Sequence, residues 1–436
     1  MAKVAVFTLG CKVNQAESEE LKMGLAAAGH QLTSDPAEAD LCVVNTCAVT
    51  AESERKCRKL IRWLSRSGAS SVAVAGCYAQ VDPESLARLP GVSAVLPNRR
   101  KDDWVREIEA MLPAGEPSVP AEPFLRTRGL VKVQDGCERG CSYCIVPMAR
   151  GPERSRAPTE VMETVTRWIK KGCRELVLCG VNLGRYRWGD GYDLASLVRE
   201  VLSLGDGFRL RLSSLELEDL RPEWIEEWSS RGRVCPHLHL PLQSGDARIL
   251  REMGRGYRPE DYLEAAHLLR RLWPRAALTT EVIVGYPGED ERAFLNTVKV
   301  LEGAQVARVH VFRFSPRPGT RDWEKRGLVD EAASQERSLR LRRLAEVWRR
   351  DYALRRIGER RALLAERALE RDGERFILGT TEDYIKAVLV RPCGETRPGE
   401  LLPVTISGWR EGRAEVVQAD AGGSAGATCP EGSPVD

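Results

Sequence analysis

The sequence predicts an α/β chain in three folded parts: an N-terminal open parallel α/β sheet domain, a partial (β/α)6 barrel and a C-terminal small β-barrel. Two observations carry the α/β prediction. Apolar runs alternate with helix-like stretches over residues 3 to about 112, and the alternation resumes six times between 129 and about 315. The 436 residues also exceed what a single core usually encloses. The β-barrel is predicted by short apolar runs near the C-terminus that are separated by turn residues.

In chain order, "KVAVFTL", "ADLCVVNT" and "SVAVAG" are strands, with "NQAESEELKMGLAAAG" and "ESERKCRKLIRWLSRSG" as helices between them. "PAGEPSVPAEP", 113–123, is a Pro-rich linker. Then come "GLVKVQD", "RELVLCG", "RLRLSSL", "HLHLPLQ", "LTTEVIVG" and "ARVHVFRFS", six strands of an incomplete barrel. A basic helical stretch covers 334–361, with ten Arg against four acids between Glu336 and Arg361. "ERFILGTT", "YIKAVLV", "LLPVTISGW" and "AEVVQ" are the strands of the small β-barrel, and the final residues are compositionally disordered. The expected domains are 1–115, a linker 116–128, 129–355, 356–419 and a tail 420–436.

A net charge of +3 excludes a polycation, so any nucleic-acid surface must be local. No apolar run approaches 18 residues, and "MAKVAVFTLGCK" has the pattern of a buried strand, without the sections of a signal peptide. A cytoplasmic location is expected, with no membrane contact. In a reducing compartment, thirteen cysteines point to metal or catalytic use more than to a disulfide framework.

"DGCERGCSYCIVP" sets Cys137, Cys141 and Cys144 at the carboxyl end of the first barrel strand, where such folds place chemistry. Structural zinc wants four ligands, and no further Cys or His follows within the usual distance. Buried structural thiols are a second reading. A third is an iron-sulfur cube held by three thiolates, whose open iron can bind a small molecule. A dispersed triplet accompanies it: Cys11, Cys47 and Cys77 each stand just past a parallel strand, on one edge of one sheet. Cys42, inside its strand, and Cys57, on a helix, are read as buried hydrophobes. Cys173, Cys179, Cys235, Cys393 and Cys429 have no partner spacing and are read as structural or incidental.

Cys137-x3-Cys141-x2-Cys144 resembles the signature of the radical S-adenosylmethionine (SAM) enzymes. The two triplets together resemble the methylthiotransferases. That resemblance runs through "TLGCKVNQAESE", "VVNTCAVTAESERK", "AGCYAQ", "DGCERGCSYCIVPMARGPERSR", "LPLQSGDARILREMGRGY", "EVIVGYPGE" and "FRFSPRPGT", nearly the whole chain. The C-terminal segment resembles the TRAM domain, a small RNA-binding barrel. The resemblance implies two 4Fe-4S clusters, one held by Cys137, Cys141 and Cys144 and one by Cys11, Cys47 and Cys77, with two S-adenosyl-L-methionine molecules used per turnover. It further implies SAM contacts at Tyr143, Gly180, Glu216, Gln243, Ser244, Ile283, Val284 and Gly285. Relatives commonly carry Tyr, Thr, Pro and Asp where Met148, Cys179, Leu217 and Glu281 stand here, so detailed contacts are expected to differ.

Within the family, Lys12, Val13 and Gln15 of "LGCKVNQ" resemble the branch that acts on N6-threonylcarbamoyladenosine beside the tRNA anticodon. Other branches act on isopentenyladenosine in tRNA or on a ribosomal-protein aspartate. RNA or substrate contact is expected from Arg150, Arg154 and Arg156 and from Tyr384 and Lys386, with Trp409 and Arg410 as further stacking and pairing groups. A tRNA, an electron donor and a sulfur source are the expected partners of a monomer. The alternative of another class is a zinc-containing RNA-binding protein without catalysis.

Overall fold

The computed structural model describes residues 2–112, 127–392 and 394–419. The linker expected at 116–128, save its last two residues, lies outside the described residues. So do the expected tail 420–436, Cys393 and Cys429.

The N-terminal sheet is wholly parallel. Its strands are β1 (Lys3–Thr8), β2 (Gln31–Thr33), β3 (Leu41–Thr46), β4 (Val72–Gly76) and β5 (Val92–Pro97), in the order β2-β1-β3-β4-β5. β3 and β4 are buried throughout, as their continuous apolar runs require. The short, partly exposed β2 and β5 add two strands the apolar runs do not announce. Helix α1 (Lys12–Ala27) follows β1, and α2 (Ala51–Leu64) follows β3 behind a Thr50–Ser53 capping box. Because β1, β3 and β4 are direct neighbours, their carboxyl ends form one edge.

All six expected barrel strands form. β6 (Gly129–Lys132) pairs with Glu175–Cys179, which pairs with Arg209–Leu212; His237–His239 pairs with Ala277–Val284, which pairs with Arg308–Arg313. Bridges Leu210–Val234 and Ser214–His239 join the two sheets into one curved wall. One face, with Leu176, Leu178, Leu210, Leu212, Leu238 and Leu278, buries against helices carrying Trp168, Trp224, Trp228 and Phe294. The alternation of strand side chains turns Arg211, His237, His239, Thr279 and Glu281 to the opposite, inner face. Helix α1 enters from the open side: Val13 and Ala16 pack on Leu130, Val177 and Cys179.

Helix Glu331–Leu354 lies against the last barrel strand and ends six residues before the next strand, Arg360–Arg371. The expected helix 334–361 therefore overshoots. "RRALLAERALER" is built from good helix formers, yet its backbone pairs with strands on both sides, and a bulge near Glu366 bends it around the closed five-stranded barrel. This barrel docks under the larger one through Glu175, which is 0% exposed and receives Arg128 (2.6 Å), Arg209 (2.7 Å) and Arg211 (2.8 Å). Arg209 and Arg211 continue to the carbonyls of Ala362, Thr380, Thr381 and Glu382. Among the described residues, no helix is long and apolar enough to cross a membrane.

Candidate active site

Cys11, Cys47 and Cys77 stand just past β1, β3 and β4, on the shared edge. A Cβ added to Gly10 would press on Asn14 and on the Cys47 side chain. Three carboxamides organise the spot. Asn14 Nδ2 donates to Asn45 Oδ1 (3.0 Å) and lies 3.9 Å from Cys77 Sγ, while its Oδ1 is 3.2 Å from Cys11 Sγ. Asn45 donates to the Asn14 carbonyl and to Ser18. Asn98 donates to Cys77 Sγ (3.4 Å) and to the Ala149 carbonyl (2.9 Å). Burial pushes the Cys77 thiol up to about 11, although Arg150 pulls it down, and burial raises Cys47 as well. Deprotonation in this dry place therefore needs a positive centre bound by the sulfurs. Cys42 and Cys57 are buried in the sheet core, as their positions predict.

The second triplet sits on the loop between Asp135 and the helix Val146–Arg150. Gly136 makes its entry possible: at φ 73° it is left-handed, and a Cβ there would collide with the Pro152 carbonyl. Gly136→Ala is expected to cost the barrel triplet its cluster, about four irons per chain by colorimetric assay; retention of iron would refute this. The loop is clamped from the far side. Ser142 Oγ bonds Asp322 (2.6 Å), the Ser142 amide donates to the Met253 carbonyl (3.0 Å), and Tyr286 also reaches Asp322 (2.7 Å). Arg255 Nη1 lies 3.3 Å from Cys141 Sγ, and its Nη2 pairs with Glu216. Burial pushes the Cys144 thiol up to about 12.

The helix Val146–Arg150 joins the two sites. It starts directly after Cys144 and packs on the helix Cys77–Val81, and Ala149 belongs to the N-terminal core. Cys144 and Arg150 are thus separated by on the order of 10 Å of helix. The Arg150 guanidinium is buried against Glu17 (3.0 and 3.1 Å), Asp135 (2.9 Å) and Asn14 (3.2 Å). This corrects the expectation that Arg150 meets substrate: four protein bonds hold it in the seam. Arg156 is likewise taken, by Glu20 (2.5 and 2.7 Å), whereas Arg154 stays exposed.

Tyr143 and Ile283 pack on the same apolar group of Ile249, Met253 and Tyr286, next to the barrel cysteines. Val284, expected beside them, turns to the outer core because neighbours in a strand face opposite ways. Gln243 adopts φ 63°, costly for a residue with a Cβ, and donates to Glu281 (2.8 Å) while its buried Oε1 is unpartnered. Ser244 is buried and its hydroxyl caps Asp246 (3.2 Å). Gly180 lies close to Gln134 and Leu183, and Gly285 to Ser334. Lys386, expected at RNA, is held by Glu366 (3.1 Å) and Thr380 (2.7 Å). Tyr384 points into the large barrel and stacks on His237 at 4.5 Å. Trp409 lies under Arg349, and Arg410 pairs with Glu415 (2.6 Å). Asn14, Asn98 and Arg255 were not singled out from the chain; Asn14, three residues past Cys11 on a helix start, was the most readable of them.

Among the described residues, no three His, Cys, Asp or Glu side chains close on one metal ion. Each triplet is nevertheless gathered at one place in the fold, Cys11, Cys47 and Cys77 on one sheet edge and Cys137, Cys141 and Cys144 on one loop. Three thiols at each place, with an amide donor on Cys77 and a guanidinium donor on Cys141, fit the ligand set of a 4Fe-4S cluster with one open iron.

Residues 131–301 match the Radical SAM superfamily, and residues 3–97 match Uncharacterized protein family UPF0004. The threonylcarbamoyladenosine tRNA methylthiotransferase MtaB of Thermotoga maritima is 35% identical, covering 96% of this chain and 98% of its own. A tRNA-2-methylthio-N(6)-dimethylallyladenosine synthase of Pelobacter propionicus is 32% identical over 92% of this chain and 99% of its own. Among solved structures, the radical S-adenosylmethionine methyltransferase TsrM of Kitasatospora setae superposes with a TM-score of 0.54 at 15% identity, over 72% of this chain and 73% of that one, a likeness of fold. With two cysteine triplets on this architecture, and with full-length relatives at this identity, the chain belongs to the methylthiotransferase family of radical SAM enzymes.

Proposed function

We propose that the chain places a methylthio group on carbon 2 of N6-threonylcarbamoyladenosine next to the anticodon of tRNA. The observation that supports this is the short helix Val146–Arg150, which follows one cysteine triplet and ends against Asn14 and Asn98 beside the other, so one short connection ties the two sites together. Relatives named for threonylcarbamoyladenosine, at 33 to 35% identity, support the substrate, as do Lys12 and Val13 after Cys11. When bound, SAM and the two clusters supply hydrogen-atom abstraction and the sulfur and methyl that replace that hydrogen.

The chain's own groups hold and shield. Cys137, Cys141 and Cys144 hold the cluster on the barrel; Cys11, Cys47 and Cys77 hold the one on the sheet. Arg255 steadies Cys141 and fixes Glu216. Tyr143 and Ile283 offer an apolar wall suited to an adenine ring, while Gly180, Glu216, Gln243, Ser244 and Gly285 line strand ends suited to the polar groups of SAM. Substrate RNA approaches through exposed Arg154. An electron donor and a sulfur source complete the partners, and a single chain carries both triplets.

Iron and sulfide counted after anaerobic reconstitution are expected to give about eight irons per chain, falling to about four in C11A/C47A/C77A. Four in both proteins would remove the second cluster. Mass analysis of tRNA nucleosides is expected to show the 2-methylthio form of threonylcarbamoyladenosine. Product on isopentenyladenosine or on ribosomal peptides alone would assign the chain to another branch.

A further inference from the structure

On the inner face of the large barrel, three cations converge on one aromatic ring. Lys12 Nζ lies 5.6 Å from the centroid of Tyr384, the Arg211 guanidinium 5.1 Å and the Arg308 guanidinium 5.8 Å. They arrive from separate elements: the start of α1, the strand Arg209–Leu212 and the strand Arg308–Arg313. Tyr384 itself comes from the C-terminal barrel and holds φ 69°, a strained value for a tyrosine. Arg211 pairs with Glu175 at 2.8 Å, an acid it shares with Arg128 and Arg209. Among the described residues, Lys12 and Arg308 have no ion pair. His237, 1% exposed and stacked on Tyr384, bonds Thr279 through Nε2 (2.9 Å) and leaves Nδ1 without a partner. Glu281, the acid on this face, is engaged by Gln243 (2.8 Å) and lies 3.8 Å from His239.

Like charges held together without a counterion repel, and that cost is offset when an anion is received among them. Lys12 directly follows Cys11, so one member of this basic cluster stands beside the N-terminal thiols. A carboxylate entering such a place needs paired cations, whereas an apolar group gains nothing from them.

We propose that Lys12 and Arg308, over the Tyr384 ring, receive the carboxylate of the substrate's threonylcarbamoyl group and so select a carboxylated N6 substituent over an apolar one. This rests on the substrate proposed above. Lys12 and Arg308 act as specificity-determining residues.

The test uses synthetic anticodon stem-loops carrying threonylcarbamoyladenosine or its primary amide, which keeps the shape and removes the charge. Equilibrium binding and methylthio product are measured on the anaerobically reconstituted enzyme. Wild type is expected to prefer the acid over the amide by roughly 30-fold in binding. K12Q and R308Q each lower that preference, the double variant brings it near one, and K12R keeps most of it. Because the readout is a ratio of two ligands on the same protein, partial loss of folded protein cancels. Equal binding of acid and amide by wild type, or a preference undiminished in the double variant, overturns the proposal. An acid preference in binding, with product only on isopentenyladenosine, supports the pocket and overturns the substrate reading instead.

Discussion

Arg150→Met is expected to abolish the methylthio product while 5'-deoxyadenosine is still formed at the barrel site. The guanidinium ties Glu17 of α1 to Asp135, at the entry of the barrel cysteine loop, and to Asn14 among the N-terminal thiols. Without it, two buried carboxylates keep Lys132, 3.0 Å from Glu17, and Lys101 as their cations. Breaking a buried charge network costs about 3 to 5 kcal/mol. The seam between the two triplets should loosen before either domain unfolds. Loss of the product, with a lowered thermal midpoint, is the expected result; unchanged product would show that the seam does not position the two sites.

The same network fixes an acid limit. Burial alone would raise Glu17, but Arg150 and Lys132 outweigh it and bring it from 4.5 to about 2; Asp135 is lowered likewise by Arg150, Lys132 and Lys101 against burial. A carboxylate with a depressed folded value stabilises fully above its unfolded value and loses that contribution as pH falls toward the folded one. For Glu17 the contribution is lost as pH falls from about 4.5 toward about 2. Wild-type stability should therefore fall steeply across that window, and Arg150→Met less steeply, as followed by denaturant midpoints at each pH.

Glu175→Gln is expected to free the C-terminal barrel. One carboxylate, held well below the usual range by Arg211, Arg209 and Arg128 despite its burial, pairs with all three guanidiniums, two of which also bind carbonyls of the C-terminal barrel. The amide leaves those guanidiniums buried with a weaker partner, again about 3 to 5 kcal/mol. Trypsin should then cut between Leu354 and Arg361 about tenfold faster, because a loosened barrel lets this already exposed connection unfold locally into the protease. Equal cleavage of wild type and variant would mean that the interface is held by its apolar contacts alone.

The positions of Cys11, Cys47, Cys77 and Cys137 past strand ends were legible because each follows an apolar run, and a strand's carboxyl end is set by its own sequence. The long basic side chains were not legible in the same way. Arg150 finds Glu17 across a seam between parts of the chain far apart in sequence, Lys386 finds Glu366 on another strand of the same barrel, and no local pattern names either partner. Val284 was misplaced by a single step of the strand alternation. The strand Arg360–Arg371 stayed hidden because its Ala, Leu, Glu and Arg favour helix, and only closure of the barrel around it decides otherwise.

The helix Val146–Arg150 belongs by sequence to the barrel and by packing to the sheet. Swapping parts between relatives should respect that. A chimera that imports residues 1–112 alone would meet a foreign Ala149 and Arg150 at its Asn98 and Glu17. One that imports 146–150 with them carries its own keystone, so the unit that can be exchanged is discontinuous in the chain.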